Sequence, residues 1–424
     1  MPGLPTLQFE EQFVRPKPGR TLIVGSRVYE GREDRRPLFA DAIGVDMLAG
    51  PGVDRVLNLE DPLPSDLGQF ELHDGTVRRG LRAQSRRHRQ HALLAFGGIA
   101  VAHNGNLTNA SAIRRELVKR GSIFQASSDT EVIPHLMATH LRGGVVDRLI
   151  NALHQVEGAY SIVAIAKDMV IGVRDPLGVR PMVLGKLGDG HILASETCAL
   201  DIVSADYIRD VEAGEMVILD KNGVTSLRPF SPTKHRFCVF EYIYFARPDS
   251  VMEGVSVYDA RKRIGAELAK ENGVEADVVI PVPDSGVPAA LGYAEGSGIP
   301  FEYGIIRNHY VGRTFIQPTQ SVRELGVRMK HAPNRAAIEG KRIILIDDSL
   351  VRGTTSKKIV RMMRDAGAKE VHFRLASPPI VNPDYYGIDL PDRGGLLAAT
   401  HTIEEMREII GADSLAFLSI DGMY

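Results

Sequence analysis

Short apolar runs broken by polar turns fill the first part of the chain, and longer helix-like and strand-like periods take over toward its end. In residues 1–94 the runs Thr21–Gly25 (TLIVG), Ala42–Met47 (AIGVDM) and Asp54–Leu59 predict an α/β start. Residues 95–232 read as mostly β with two helices. Strand-like Gly98–Ala102 runs into His103-Asn104-Gly105-Asn106, and Asn109 is placed to cap a helix carrying Ile113, Leu117 and Val118 on one face. Ser128-x-x-Glu131 is a capping-box pattern opening a second helix. From Ala159 onward, apolar runs alternate with Asp175-Pro176, Gly188-Asp189-Gly190 and Lys221-Asn222-Gly223, the signature of antiparallel hairpins. Residues 233–424 alternate. Helices are predicted at Tyr258–Glu271, Val287–Glu295 and Thr355–Ala366. Strands are predicted at Asp277–Val282, Phe301–Ile306, Arg342–Ile346 and Glu370–Leu375. That order argues for a parallel sheet covered by helices.

Composition narrows the function classes. The 424 residues allow two or three domains. With 51 Lys+Arg against 53 Asp+Glu, the net charge of −2 gives no pull toward nucleic acid or an anionic membrane. No apolar run approaches the ~18 residues of a membrane span, and the first residues lack a secretory pattern, so the expected location is cytoplasmic. Cys198 and Cys238 are the two cysteines, too few for a disulfide framework or a four-thiolate metal site. The stretch Arg78–His91 holds six arginines and two histidines. A solvated linker or helix face is its plainest reading, with a nucleic-acid patch or a junction between unrelated segments left open.

Ile343–Thr355, IILIDDSLVRGTT, carries the most chemistry. A buried strand ends in Asp347-Asp348, a loop with Gly353 follows, and a helix starts near Thr354. Ligands of open α/β sheets sit beyond the strands' carboxyl ends, and a helix N-terminus there offers free N–H groups to a phosphate. Adjacent carboxylates suit ribose hydroxyls and a hard cation such as Mg2+. An ordinary strand–turn–helix with a capping aspartate is the competing reading, and the Walker spacing is absent.

Val279–Gly286 together with IILIDDSLVRGTTS resembles the pyrophosphate loop and phosphoribosylpyrophosphate (PRPP) motif of type I phosphoribosyltransferases. Cys238–Ser250 (CVFEYIYFARPDS) and Arg307–Pro318 (RNHYVGRTFIQP) resemble the glutamine PRPP amidotransferase family over about residues 95–424. The resemblance implies a lead-in at 1–94, a partial N-terminal-nucleophile (αββα) glutaminase domain at 95–232, and a type I phosphoribosyltransferase domain with a parallel sheet at 233–424, an α/β plus α+β protein. Asp347 and Asp348 would bind the ribose hydroxyls and, with Ser285, Mg2+. Ser349 and Arg352–Thr355, including Gly353 and Thr354, would hold the 5-phosphate. Asp284, Ser285 and Gly286 would face pyrophosphate, and Arg313 would lie on a loop closing over PRPP. Tyr242, Tyr244 and Phe245 would line an ammonia path or simply pack in the core. Asn104 and Gly105 resemble the oxyanion element of the glutaminases, and Asp129 the carboxylate that binds glutamine's amino group. The implied partners are PRPP, glutamine or ammonia, and further copies of the chain in a homo-oligomer.

Two departures stand against the family pattern. Its mature chains begin with a nucleophilic cysteine, whereas neither Cys198 nor Cys238 is terminal, so an impaired glutaminase is expected, with phosphoribosylamine made from PRPP and glutamine-derived or free ammonia. Some members carry an iron–sulfur cluster. Here Cys238 holds the first ligand position, Asp384 takes the second, and the chain ends before the last pair, so no cluster is expected. Residues 1–94 resemble instead the opening of a SAM-dependent methyltransferase, with Asp46 ending a strand but without G-x-G. A foreign or frame-shifted lead-in joined near Ala92–Phe96 accounts for this. The alternatives are an inactive chimeric or truncated product that at most binds PRPP, and a methyltransferase fusion.

Overall fold

The computed structural model describes residues 99–424 other than 141, 167, 308–330, 388–392 and 424, together with the backbone of strands at 21–24, 42–46, 55–56 and 91–93. The chain divides into two units, Met1–Gln90 and His91–Tyr424. In the first, the three apolar runs form β1 (Thr21–Val24), β2 (Ala42–Asp46) and β3 (Arg55–Val56), paired in parallel in that order. Arg313 and most of the loop expected to close over PRPP lie outside the described residues.

The second unit begins with β4 (His91–Leu93), antiparallel to β5 (Ile99–Leu107). These join β6 (Gly158–Ala166), β7 (Met169–Arg174), β11 (Met216–Asp220) and β12 (Gly223–Leu227) in a six-stranded sheet of order β12-β11-β7-β6-β5-β4. A second sheet, β10-β8-β9, comes from β8 (Val183–Leu187), β9 (Gly190–Ala194) and β10 (Asp206–Asp210). The predicted Gly188-Asp189 and Lys221-Asn222 turns are the two-residue links of β8–β9 and β11–β12. Strand alternation sorts the sides. Tyr160, Ile162 and Ala164 pack on helices α1 (Ala110–Lys119), α2 (Val132–Thr139) and α3 (Val145–Leu153). Val163 and Val217 face Met182 and Leu184 of the other layer. The result is helices, sheet and sheet, part of the expected αββα sandwich.

After the hairpin β13 (Val251–Met252) and β14 (Val255–Ser256) the texture changes. β15 (Val278–Pro281), β18 (Arg342–Asp347), β19 (Glu370–Leu375) and β20 (Ser414–Phe417) form a parallel sheet in that order. A short ribbon of β16 (Ile305–Arg307) and β17 (His331–Pro333) stands apart. Helices α4 (Val257–Glu271) and α5 (Val287–Ser297) cover one face, where Ile344 and Ile346 meet Leu268 and Tyr293. Helices α6 (Thr354–Asp365) and α7 (Ile403–Ile410) cover the other, where Ile343 and Leu345 meet Ile359, Met363 and Met406. Burial on both faces explains the unbroken apolar reading of RIILI. No helix among the described residues is long and apolar enough to cross a membrane.

Two local expectations turn out differently. Ser128 makes no capping bond, and residues Asp129–Glu131 form a single 3-10 turn. The Glu131 carboxylate instead accepts from the N–H groups of Gln125 (2.7 Å) and Ala126 (2.9 Å), which have no helix to serve them. Asn109 does stand at the start of α1, but its side chain bridges Glu157 N (2.9 Å) and Gln155 O (3.0 Å) on the segment entering β6.

Helices α4 and α5 touch backbone to backbone. A Cβ on Gly265 would lie 1.9 Å from the Ala289 carbonyl, and one on Gly292 would lie 1.9 Å from that of Lys262. Gly265→Ala is therefore expected to destabilise the fold by about 1–3 kcal/mol through overpacking, read as a lowered thermal midpoint. An unchanged midpoint would contradict this contact.

Candidate functional site

Two groups of polar residues stand out, one in each half of the second unit. The first lies on β5, which runs on through His103-Asn104-Gly105-Asn106 as far as Leu107. Gly105 sits at φ 146°, and a Cβ there would be 2.0 Å from the Ala159 carbonyl of β6. Only glycine allows that approach. Asp129 is brought beside the strand by its short turn. Its Oδ2 accepts from Leu107 N at 2.9 Å, and its Oδ1 accepts from Thr130 N at 2.8 Å. The buried His103 imidazole lies 3.7 Å from the same carboxylate. Asp129, Asn106, Arg114 and Ser127 line a cavity of about 500 Å3, together with Tyr385 and Tyr386 from the other half. Asn104 and Gly105 adjoin Asn106 on the strand, so the structure brings all three predicted residues of this half to one place.

The second group lies where the strands of the parallel sheet end. β15 and β18 are neighbours, and Val282 N donates to Ile346 O at 2.8 Å. The Asp284–Gly286 loop and the Asp347–Ser349 loop therefore emerge side by side. Asp284 is exposed and ion-pairs with Arg307. Ser285 hydrogen-bonds the Asp348 carboxyl, and Ser349 Oγ donates to Asp348 Oδ1 at 2.6 Å. Both aspartates are buried, at 9% and 7% exposure. Burial, and then the charge of Asp348, pushes the Asp347 carboxyl well above the usual carboxylate range. Burial also raises Asp348, against the pull of Ser285, Ser349 and the Arg261 guanidinium.

Helix α6 starts directly beyond this pair. Gly353 caps it at φ 71° with no side-chain bond to the first turn, and a Cβ there would meet Leu397 at 2.8 Å. Thr354 and Thr355 are exposed, as is Arg352. The first-turn N–H groups are thus left for an anion. Among the described residues no group of three or more His, Cys, Asp or Glu is arranged to hold a metal ion. The local donor set is two carboxylates and a hydroxyl, and the unneutralised pair fits a hard cation.

The cysteines lie elsewhere. Cys198 is buried on a short helix at Thr197–Ile202. Cys238 packs against Gly387, and burial pushes its thiol up to about 11. Neither lines the Asp129 cavity. Of the predicted aromatics, the Tyr242 hydroxyl donates to Met252 O at 2.7 Å, Tyr244 is exposed, and Phe245 carries the Arg180 guanidinium 4.3 Å above its ring.

Sequence reading missed Arg261, which is 4% exposed and donates to the carbonyls of Tyr242 (2.5 Å) and Ala246 (2.8 Å). The available signal was its place on the apolar stripe of α4 with Val257, Ile264 and Leu268. It also missed Arg114 and the two tyrosines of the cavity wall, which only the fold brings there.

A glycine-bearing strand beside a tied carboxylate, and a buried acidic pair on a strand–loop–helix, joined in one unit, mark a two-site protein of amidotransferase and phosphoribosyltransferase character. The family model for the glutamine amidotransferase domain matches residues 79–201, and that for the phosphoribosyl transferase domain matches 254–376. The amidophosphoribosyltransferase of Rhizobium etli is 58% identical over 339 residues, 78% of this chain and 68% of that protein. Its counterpart in Bacillus subtilis is 51% identical over 327 residues, 77% of this chain and 69% of that one. A solved structure of glutamine PRPP amidotransferase from B. subtilis, complexed with ADP and GMP, superposes with a TM-score of 0.74 at 47% identity, covering 84% of this chain and 76% of that one. Another, of an allosteric regulatory enzyme of purine biosynthesis, gives 0.73 at 49% identity, covering 79% of this chain and 72% of that one. The chain belongs to the amidophosphoribosyltransferase family.

Asp129 has a structural duty besides any ligand. Asp129→Ala leaves two N–H groups without their acceptor and is expected to cost about 1–3 kcal/mol, with Asp129→Asn costing less. Chemical denaturation measures both, and equal stability of all three proteins would contradict the assignment.

Proposed function

We propose that the chain forms 5-phosphoribosylamine from PRPP and free ammonia, with residues 233–424 carrying the transfer and residues 95–232 retaining a glutamine pocket impaired in hydrolysis. The observation that carries this is the buried Asp347–Asp348 pair beside an uncapped helix N-terminus, on a chain whose two thiols both lie away from the Asp129 cavity.

The geometry supports the following roles. The N–H groups of the first turn of α6, with the Thr354 and Thr355 hydroxyls and Arg352, bind the 5-phosphate. Asp347 and Asp348 accept from the ribose hydroxyls and, with Ser285, would hold Mg2+. That ion, when bound, neutralises charge on the pyrophosphate. Asp284, Ser285 and Gly286 line the leaving-group side. Ammonia donates its lone pair to C1 of the ribose, the C1–O bond to pyrophosphate breaks with its electron pair, and the new amine sheds a proton. The residues bind and orient; none becomes covalently attached. Glutamine cleavage would need a nucleophile at Asn104 and Gly105, and neither cysteine is there to supply one.

The parallel pairing of β1–β3 supports an α/β fragment at residues 1–94. Its likeness to a methyltransferase opening assigns no cofactor site, because the glycine-rich turn is missing from TLIVG.

The test is phosphoribosylamine formation from PRPP with either ammonium or glutamine. The expected result is turnover with ammonium, release of pyrophosphate, and no glutamate from glutamine. Comparable turnover with glutamine would contradict the impairment. Binding of PRPP without turnover on either nitrogen source would favour an inactive product.

A further inference from the structure

The cavity at Asp129 is not built by its own half alone. Its far wall is Tyr385 and Tyr386, from the segment that follows β19 of the phosphoribosyltransferase half. That wall is a tight turn capped from within by the Asp384 side chain. Asp384 Oδ1 accepts from the N–H groups of Tyr386 (2.7 Å) and Gly387 (3.2 Å), an Asx-type turn.

The turn is seated from both directions. Asn106 Nδ2, one residue after Gly105, donates to the Tyr385 carbonyl at 2.7 Å. The Gly387 carbonyl accepts from the Arg180 guanidinium, which ion-pairs with Glu241 at 2.7 Å. Gly387 also lies so close to Cys238 that a Cβ there would be 2.5 Å from its sulfur. Asp384 thus shapes the turn from within, while Asn106 and Arg180 hold two of its carbonyls from outside.

We propose that Asp384 is a positioning residue for the amino-acid pocket. By capping the 384–387 turn it sets the aromatic wall against Asn106 and sizes the cavity for a small zwitterionic α-amino acid, glutamine in this family context. The cavity offers such a ligand's amino group the Asp129 carboxylate, while the Arg114 guanidinium on its lining is held by the Ala126 (2.6 Å) and Ser128 (2.7 Å) carbonyls. This inference rests on the reading of the Asp129 cavity as the glutamine pocket. The turn also makes ligand occupancy of one half depend on a segment of the other.

The experiment is calorimetric titration of L-glutamine into the full chain, its Asp384→Ala variant and its Asp384→Asn variant, with the PRPP-induced shift in melting temperature measured on each. An asparagine Oδ1 still accepts both N–H bonds, whereas alanine accepts neither. The expected result is glutamine binding weakened by about tenfold or more, ~1.4 kcal/mol, in Asp384→Ala. Asp384→Asn should stay near the wild type, and the PRPP shift should be unchanged in all three. Wild-type affinity in Asp384→Ala would overturn the proposal, as would an equal loss in both variants or a PRPP shift that falls with the glutamine affinity. Absence of glutamine binding by the wild type would overturn both the proposal and the reading of the pocket on which it rests.

Discussion

Two carboxylates buried side by side at the end of β18 are the constraint to which the phosphoribosyltransferase half is built. Asp347 and Asp348 stand at 9% and 7% exposure, and among the described residues no cationic side chain is hydrogen-bonded to them. Like charges in a poorly solvated place repel, so the pair is costly to the free protein. The surrounding structure fixes that arrangement. The parallel partners β15 and β19 hold the strand end, Ser285 and Ser349 donate to Asp348, and Arg261 places a buried positive charge in its field. A site that is electrostatically unfavourable when empty is relieved by a ligand that brings hydroxyl donors and a cation.

The glutaminase-like half is organised around a different restriction, the approach of β5 to β6 at Gly105. Asn104 and Asn106 flank that close approach on the strand, and Asp129 is tied to Leu107 N. Polar contacts join the two halves at several places. Arg180 reaches Glu241 and Gly387, Arg174 reaches Glu253, and Asn106 reaches Tyr385. Within the second half, Arg261 binds the carbonyls at either end of the Tyr242–Ala246 segment. The EYIYF segment, a π-helical turn, therefore sits between the Arg261 guanidinium, whose charge acts on Asp348, and the Arg180 guanidinium, which holds the Gly387 carbonyl.

Much of this was legible in the sequence for physical reasons. RIILI reads as a strand buried on both faces because helices cover both faces, and DDSLVRGTT announces a strand–loop–helix through its carboxylates and glycine. Hairpin turns such as Lys221-Asn222-Gly223 specify their own geometry. What was not legible depends on distant pairing. Glu131 reads as a capping residue, yet serves the N–H groups of Gln125 and Ala126 because the preceding segment turns back on it. The wall formed by Tyr385 and Tyr386 lies 279 residues from its Asn106 anchor, and no local pattern encodes that contact. Arg261 was hidden by the habit of reading charge as surface, although its position on the apolar stripe of α4 marked it.

The account turns on the acidic pair trading stability for binding, and one comparison tests that directly. A carboxyl whose pKa is raised on folding supports the fold while protonated and loses that support as pH climbs from the ordinary carboxylate range toward the raised value. At neutral pH the pair is thus a burden that Asp347→Asn or Asp348→Asn removes. Calorimetric titration of PRPP with Mg2+ present, alongside thermal unfolding of the same samples, reads both sides. Each variant should bind PRPP about 10- to 100-fold more weakly, the loss of a hydrogen bond to a charged group, while melting no lower than the wild type. Variants that bind PRPP as tightly as the wild type, or that melt lower in its absence, would contradict the account.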